Sequence, residues 1–119
     1  MSKHHIVHIE FSANDREAAG KFFSDVFDWE VQQMPEMNYA MFNTGDDLGG
    51  GLNPVGENSP VGRVLVHIGT DDIEATSAKI EANGGKITVP KTEIPAMGWF
   101  AIFTDPTGNE IALYQAMKE

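Results

Sequence analysis

No cysteine occurs anywhere in the 119 residues, which removes disulfides, thiolate nucleophiles, iron–sulfur clusters and cysteine-ligated zinc together. Any metal would have to rest on His, Asp and Glu. Positive charge is also scarce, with 8 Lys and Arg against 18 Asp and Glu and a formal net charge of -10. The resulting field repels phosphate backbones and anionic lipid, and no cluster of Lys or Arg offers a local exception, so nucleic acid and membrane surfaces are not expected as partners. The carboxylates fall mainly at helix starts and turns, a distribution that serves solubility and names no substrate. Long apolar runs are missing, and Met1 to Phe11 carries the adjacent His4 and His5 but no basic segment leading into an apolar stretch; a cytoplasmic location is the expectation. There is no Ser-His-Asp spacing with a nucleophile elbow and no glycine loop opening a helix, since Gly49-Gly50-Gly51 follows a turn instead.

What is present is enough for one compact domain with a continuous core. From Ile6 to Ser12 the chain alternates, with Val7, Ile9 and Phe11 apolar and His8, Glu10 and Ser12 polar, the period of a half-buried strand. Asn14 and Asp15 cap a helix to Phe27, with Ala18, Ala19, Phe22, Phe23, Val26 and Phe27 at helical spacing. Three strand-forming segments follow, at Trp29 to Met34, Tyr39 to Asn43 and Leu48 to Asn53. The last, heavy in glycine, reads as an edge strand that approaches another backbone or a ligand closely. The segment from Pro54 to Pro60 reads as a connector.

The second half repeats the first in kind. Arg63 to Thr70 alternates, with Leu65, His67 and Gly69 on its wet face. Asp71 and Asp72 cap a helix carrying Ile73, Thr76 and Ile80, and Asn83-Gly84-Gly85 ends it. Strands follow at Lys86 to Pro90, Trp99 to Thr104 and Glu110 to Gln115, the last two joined by the turn Asp105 to Asn109. One offset of 57 positions takes Val7 to Val64, Ile9 to Val66, Asp15 to Asp72 and Ala18 to Ala75. The predicted fold is therefore α+β: two βαβββ modules, about 3–56 and about 62–117, making a curved, half-open mixed sheet with a concave wet face where a ligand sits.

Val-His-Ile-Glu-Phe around His8, the Ala-Ala and Phe-Phe pairs after Asp15, Asp-Asp-Ile-Glu-Ala, Asn-Gly-Gly, and the run from Gly98 to Tyr114 with its Asp-Pro-Thr-Gly-Asn turn together resemble the vicinal oxygen chelate superfamily. This is the group of glyoxalases, bleomycin-resistance proteins and extradiol dioxygenases, and the resemblance covers essentially the whole chain, nearest to its small glyoxalase-like members. It implies metal ligands on the first and last strands of each half. His8 matches the first of these positions. Leu65 and Ala112 stand at two others, and Leu48-Gly-Gly-Gly-Leu at the fourth carries no carboxylate, so the resemblance does not extend to a glyoxalase I site, and no metal or other cofactor is expected. A displaced set of His8, Glu10 and His67 is the remaining metal alternative, because Glu10 and His67 are related by the same offset.

The residues expected to line a small-molecule pocket are His8, Glu10, Tyr39, His67, Trp99 and Tyr114, with Tyr114 preferred among the aromatics because it shares parity with Ala112. His8 and Glu10 are the candidate catalytic pair. Two functions compete: a binding module for a small organic molecule, and a lyase, isomerase or dioxygenase-type enzyme using His8 with Glu10 or His67 as acid and base or as metal ligands. The resemblance also implies a homodimer.

Overall fold

The structure, a computed structural model, describes residues 3–45 and 47–117. Its elements run β1 (Ile6–Ala13), α1 (Arg16–Phe27), β2 (Glu30–Met34), β3 (Tyr39–Asn43), β4 (Gly49–Pro54), β5 (Val64–Gly69), α2 (Ile73–Ala82), β6 (Lys86–Ile94), β7 (Gly98–Thr104) and β8 (Glu110–Ala116), with a 3-10 turn at Pro35–Met37. The fold is α+β, and each half is the expected strand, helix and three further strands.

The chain divides into two compact units, 7–65 and 3–6 with 66–117. Residues 3–6 lie apart from the first repeat: His5 O accepts from Gly69 N at 2.8 Å, and His4 Nδ1 lies 3.0 Å from Gly69 O. In the first unit the strand order is β2-β3-β4-β1, with β1 and β4 parallel and the other pairs antiparallel. In the second it is β5-β8-β7-β6, with β5 and β8 parallel.

The helices start where their caps dictate. Asp15 and Asp72 both hold extended backbone, and each carboxylate accepts from the amide three residues on, Ala18 N and Ala75 N, at 3.0 Å. The 57-residue offset is thus kept in the capping hydrogen bonds. Helix α1 stops at Asp28, in the left-handed region at φ 60. Helix α2 stops at Asn83, and Gly84 at φ 95 turns the chain so that Gly85 N reaches Ile80 O at 2.9 Å.

Each unit has its own apolar cluster between one sheet face and one helix. In the first, Ala40, Phe42 and Leu52 are buried, with Phe11, Ala19, Phe23, Trp29 and Val31 against them. In the second, Ile73, Ala101, Phe103 and Leu113 are buried, with Ile68, Ile80, Ile87, Trp99 and Ile111 around them. The apolar stripe of α1 proves wider than its contact. Ala19 and Phe23 join the core, but Phe22, Val26 and Phe27 are each 55% exposed.

Two strand expectations change. The glycine-rich segment is an interior strand, since β4 is flanked by β1 and β3; the close approach expected of it is real and comes from backbone on both sides. A Cβ at Gly50 would stand 1.9 Å from Ile9 O, and one at Gly49 would stand 2.7 Å from Phe42 O. Strand β6 runs on past Pro90 to Ile94, because register shifts between Ile87 and Val89 and between Val89 and Thr92 let the ladder accommodate a residue without an N–H. No helix among the described residues is long and apolar enough to cross a membrane.

Candidate functional site

The face of the first unit turned away from α1 is polar, as the alternation of its strands requires. Strand β1 contributes His8 and Glu10 to it, and the paired positions on β4 are Gly49 and Gly51. Strand β3 contributes Tyr39, Met41 and Asn43, and β2 contributes Glu30, Gln32 and Met34. With two glycines on β4, the side chains of β1 and β3 are separated only by a bare strand.

Tyr39 crosses that gap. Its hydroxyl donates to Glu10 Oε2 at 2.8 Å and lies 2.8 Å from His8 Nε2. A phenol has one proton, here given to Glu10, so the imidazole supplies the other: His8 carries its hydrogen on Nε2 and donates it to Tyr39 Oη. The ring is seated over Gly51, where a Cβ would stand 1.8 Å from Tyr39 Oη. Any side chain at 51 would evict the tyrosine, so the glycine is what lets strands β1 and β3 share one hydrogen-bonded array. The His8 and Tyr39 rings are nearly parallel, at 16°, with centroids 6.5 Å apart.

Burial sets the protonation of all three groups. It lowers the His8 imidazole from its ordinary value, which leaves the ring neutral near pH 7. It raises the Glu10 carboxyl, opposed by the hydrogen bond from Tyr39 and by the positive charge of Arg63. Tyr39 is raised well above an ordinary phenol, by burial first and then by the charge and hydrogen bonding of Glu10. The array therefore works as a fixed donor–acceptor chain, His8 to Tyr39 to Glu10, rather than as a source of phenolate.

Beside it, at the end where β1 and β4 begin, a cavity of about 570 Å³ opens among Val7, His8, Glu30, Gln32, Met41, Asn43, Asp47 and Gly49. Its size suits a small organic molecule. Its charged lining, apart from neutral His8, is carboxylate.

Residues 5–113 match the Glyoxalase/Bleomycin resistance protein/Dioxygenase superfamily. The chain belongs to this superfamily. Among curated proteins it is similar to the putative glyoxylase CFP32 of Mycobacterium tuberculosis, 27% identical over 117 residues, covering 92% of this chain and 45% of that protein. The chain thus spans about half the length of that relative. It is also similar to a glyoxylase-like domain-containing protein of Didymella fabae, 31% identical over 113 residues and 88% of each chain. Among solved structures, methylmalonyl-CoA epimerase from Mycobacterium tuberculosis superposes with a TM-score of 0.72 at 14% identity, covering 95% of this chain and 88% of that one, which shows a shared fold.

The divalent metal that some superfamily members carry does not fit the residues here. Leu65 and Ala112 are apolar and buried, Gly49 to Gly51 offer no side chain, and His8 Nε2 is committed to Tyr39. Among the described residues no three His, Asp or Glu side chains are grouped so as to hold a metal ion.

Of the six residues singled out in the sequence, His8, Glu10 and Tyr39 come together. The other three lie in the second unit. Tyr114 is on the face away from α2, in register with Gly69 and Phe100, and its hydroxyl donates to Met97 O at 2.7 Å. His67 is on that same face, paired with Ala112, but it is not wet: only 8% of it is exposed. Alternation assigned its face correctly and said nothing of what lies over it. Trp99 is a correction. It packs on the α2 side against the Ile73 cluster, with Lys91 Nζ 4.8 Å from its ring centroid, because it shares parity with Ala101 and Phe103. The sequence reasoning missed Gly51 as the seat of Tyr39, Arg63 as the counter-charge of Glu10, and the polar residues of β2. Parity along β2 was the signal available for the last of these.

Proposed function

We propose that this protein binds a small organic molecule on the open face of the β1–β4 sheet, holding its polar end at His8, Tyr39 and Glu10 and its body in the adjoining cavity, without a resident divalent metal. The observation that carries this is the single hydrogen-bonded array across three strands, seated by a glycine and half-buried beside a cavity of suitable volume. Both hydrogens of the array are used inside it, so what Glu10 and Tyr39 offer a ligand at fixed positions is acceptor oxygens, and fixed polar groups of this kind orient a ligand in a largely preformed site.

One feature supports a second reading, an acid–base enzyme of the lyase or isomerase kind. Glu10 has its proton affinity raised by burial and is held in place by Tyr39 through one oxygen, Oε2, as a carboxylate general base requires.

A single set of measurements tests both. Neutral and cationic carbonyl compounds are screened by ligand-observed NMR in heavy water against the wild type, Tyr39→Phe and Glu10→Gln. Binding weakened about tenfold or more in Tyr39→Phe is the expected result. Loss of a carbon-bound proton beside a ligand carbonyl, absent with Glu10→Gln, establishes the enzyme. Binding unchanged in Tyr39→Phe would overturn the placement of the ligand at the array.

A further inference from the structure

At the opposite end of β1 lies a second cavity, about 270 Å³, lined by Ala13, Asn14, Arg16, Asn38, Pro54 and Val55. His8 and Ala13 are five residues apart on one strand, roughly 17 Å at strand rise, so this is not the site described above. We propose that this second cavity binds a small oxyanion, a carboxylate or a phosphate, through the guanidinium of Arg16 and the side-chain amides of Asn14 and Asn38.

The arginine is built into place. Its Nη1 donates to Gln33 Oε1 at 2.9 Å, and Gln33 Nε2 donates back to Arg16 O at 3.0 Å. That clamp depends on Gly20, a buried glycine inside α1, where a Cβ would stand 2.9 Å from Gln33 Nε2. Glycine in a helix interior costs about 0.5–1 kcal/mol relative to alanine, and here it makes the room that Gln33 and Val31 need. The arginine is held by a neutral amide although acids outnumber bases 18 to 8 in this chain. Among the described residues no carboxylate pairs with it, and its buried Nε meets no acceptor.

A buried donor without a partner calls for an explanation, and the Nε–Nη2 side of a guanidinium is the one that takes two oxygens of one carboxylate or phosphate. The amides of Asn14 and Asn38 make no side-chain hydrogen bond among the described residues and line the same cavity. Asp15, the acid next to Arg16 in the chain, has its carboxylate turned to Ala18 N as the helix cap. The net charge of -10 opposes an anion at long range only, because exposed charges beyond about 8 Å are screened at physiological ionic strength.

The test is an NMR titration of the whole isotope-labelled chain with sodium phosphate and, separately, sodium acetate, with sodium chloride at matched ionic strength as the reference. The Arg16 Nε–H and the Asn14 and Asn38 amide signals should move and saturate in the millimolar range or below, while the His8 and Tyr39 signals stay. Whichever of phosphate and acetate saturates at lower concentration identifies the oxyanion class. Arg16→Met should abolish the effect. Should that variant not fold, Asn38→Asp decides: it leaves the Arg16–Gln33 clamp intact, suits the left-handed backbone at φ 51, and puts a carboxylate into the cavity. Its expected result is binding weaker by about tenfold or more, from like charge. Shifts that never saturate, that chloride reproduces, or that survive in Asn38→Asp would overturn the proposal.

Discussion

The side chains that matter most are marked by what their neighbours lack. His8 and Glu10 are linked through Tyr39, and Tyr39 reaches them because position 51 has no Cβ. The alternation of Ile6 to Ser12 was enough to put His8 and Glu10 on one face. It was not enough to find their connection, which needs β3 to lie two strands away with a glycine strand between. The protonation of His8 yields a prediction at this scale. Burial lowers its folded pKa below 6.5, so the unfolded chain binds more protons in the window between the two values. The stability that the neutral ring contributes is complete above pH 6.5 and is lost as pH falls through the folded value. Urea melts at descending pH should show this decline in the wild type, and His8→Gln should remove that part of the slope. Glu10 has the opposite sign: with its folded pKa raised above 4.5, its contribution is lost as pH rises through that value. A His8→Gln profile parallel to that of the wild type would refute the assignment of a neutral, buried imidazole.

At the scale of elements, local chemistry decided starts and stops, while pairing decided position. Asp15 and Asp72 each use a carboxylate to satisfy an amide of the first helical turn. Asp15→Ala and Asp72→Ala should each cost about 1 kcal/mol of stability in chemical denaturation. A loss well below half that value at either site would mean that the cap adds nothing beyond what water supplies. The turn at Asp105 is also locally determined: one carboxylate accepts from Thr107 N, Thr107 Oγ1, Asn109 N and Asn109 Nδ2, which holds its pKa down to about 2. That turn is the most specific stretch of the family resemblance, yet its hydrogen bonds serve the loop between β7 and β8. Strand β4 shows the limit of local reasoning. Its glycines are unfavourable in a strand, which suggests an edge, but here they lie in the interior because the backbones and the tyrosine on either side leave no space for a Cβ.

For the molecule as a whole, each repeat closes its own apolar cluster, and the two clusters share no member. Leu52 and Leu113 are both 1% exposed, one in each. Replacing either with alanine should cost about 2–5 kcal/mol. Because the two leucines have no common partner, the double variant should equal the sum of the singles within about 0.5 kcal/mol. Denaturant melts of the three variants check this, and a large departure from additivity would show that the cores are energetically linked. The repeat itself was visible as the 57-residue offset, and it survives in the caps and the strand order.

Periodicity, caps and turns act between residues a few positions apart, so the sequence by itself determined the α+β class, the repeat, the helix boundaries and the faces of β1 and β5. At three of the four positions where the resemblance implies metal ligands, the leucine, alanine and glycine side chains have no donor atom. Only the tertiary structure decided that β4 is interior, that Trp99 joins a core, that His67 is buried, and that Tyr39 links His8 to Glu10. Those outcomes depend on which strands become neighbours, and neighbours in a sheet are chosen by contacts between distant parts of the chain.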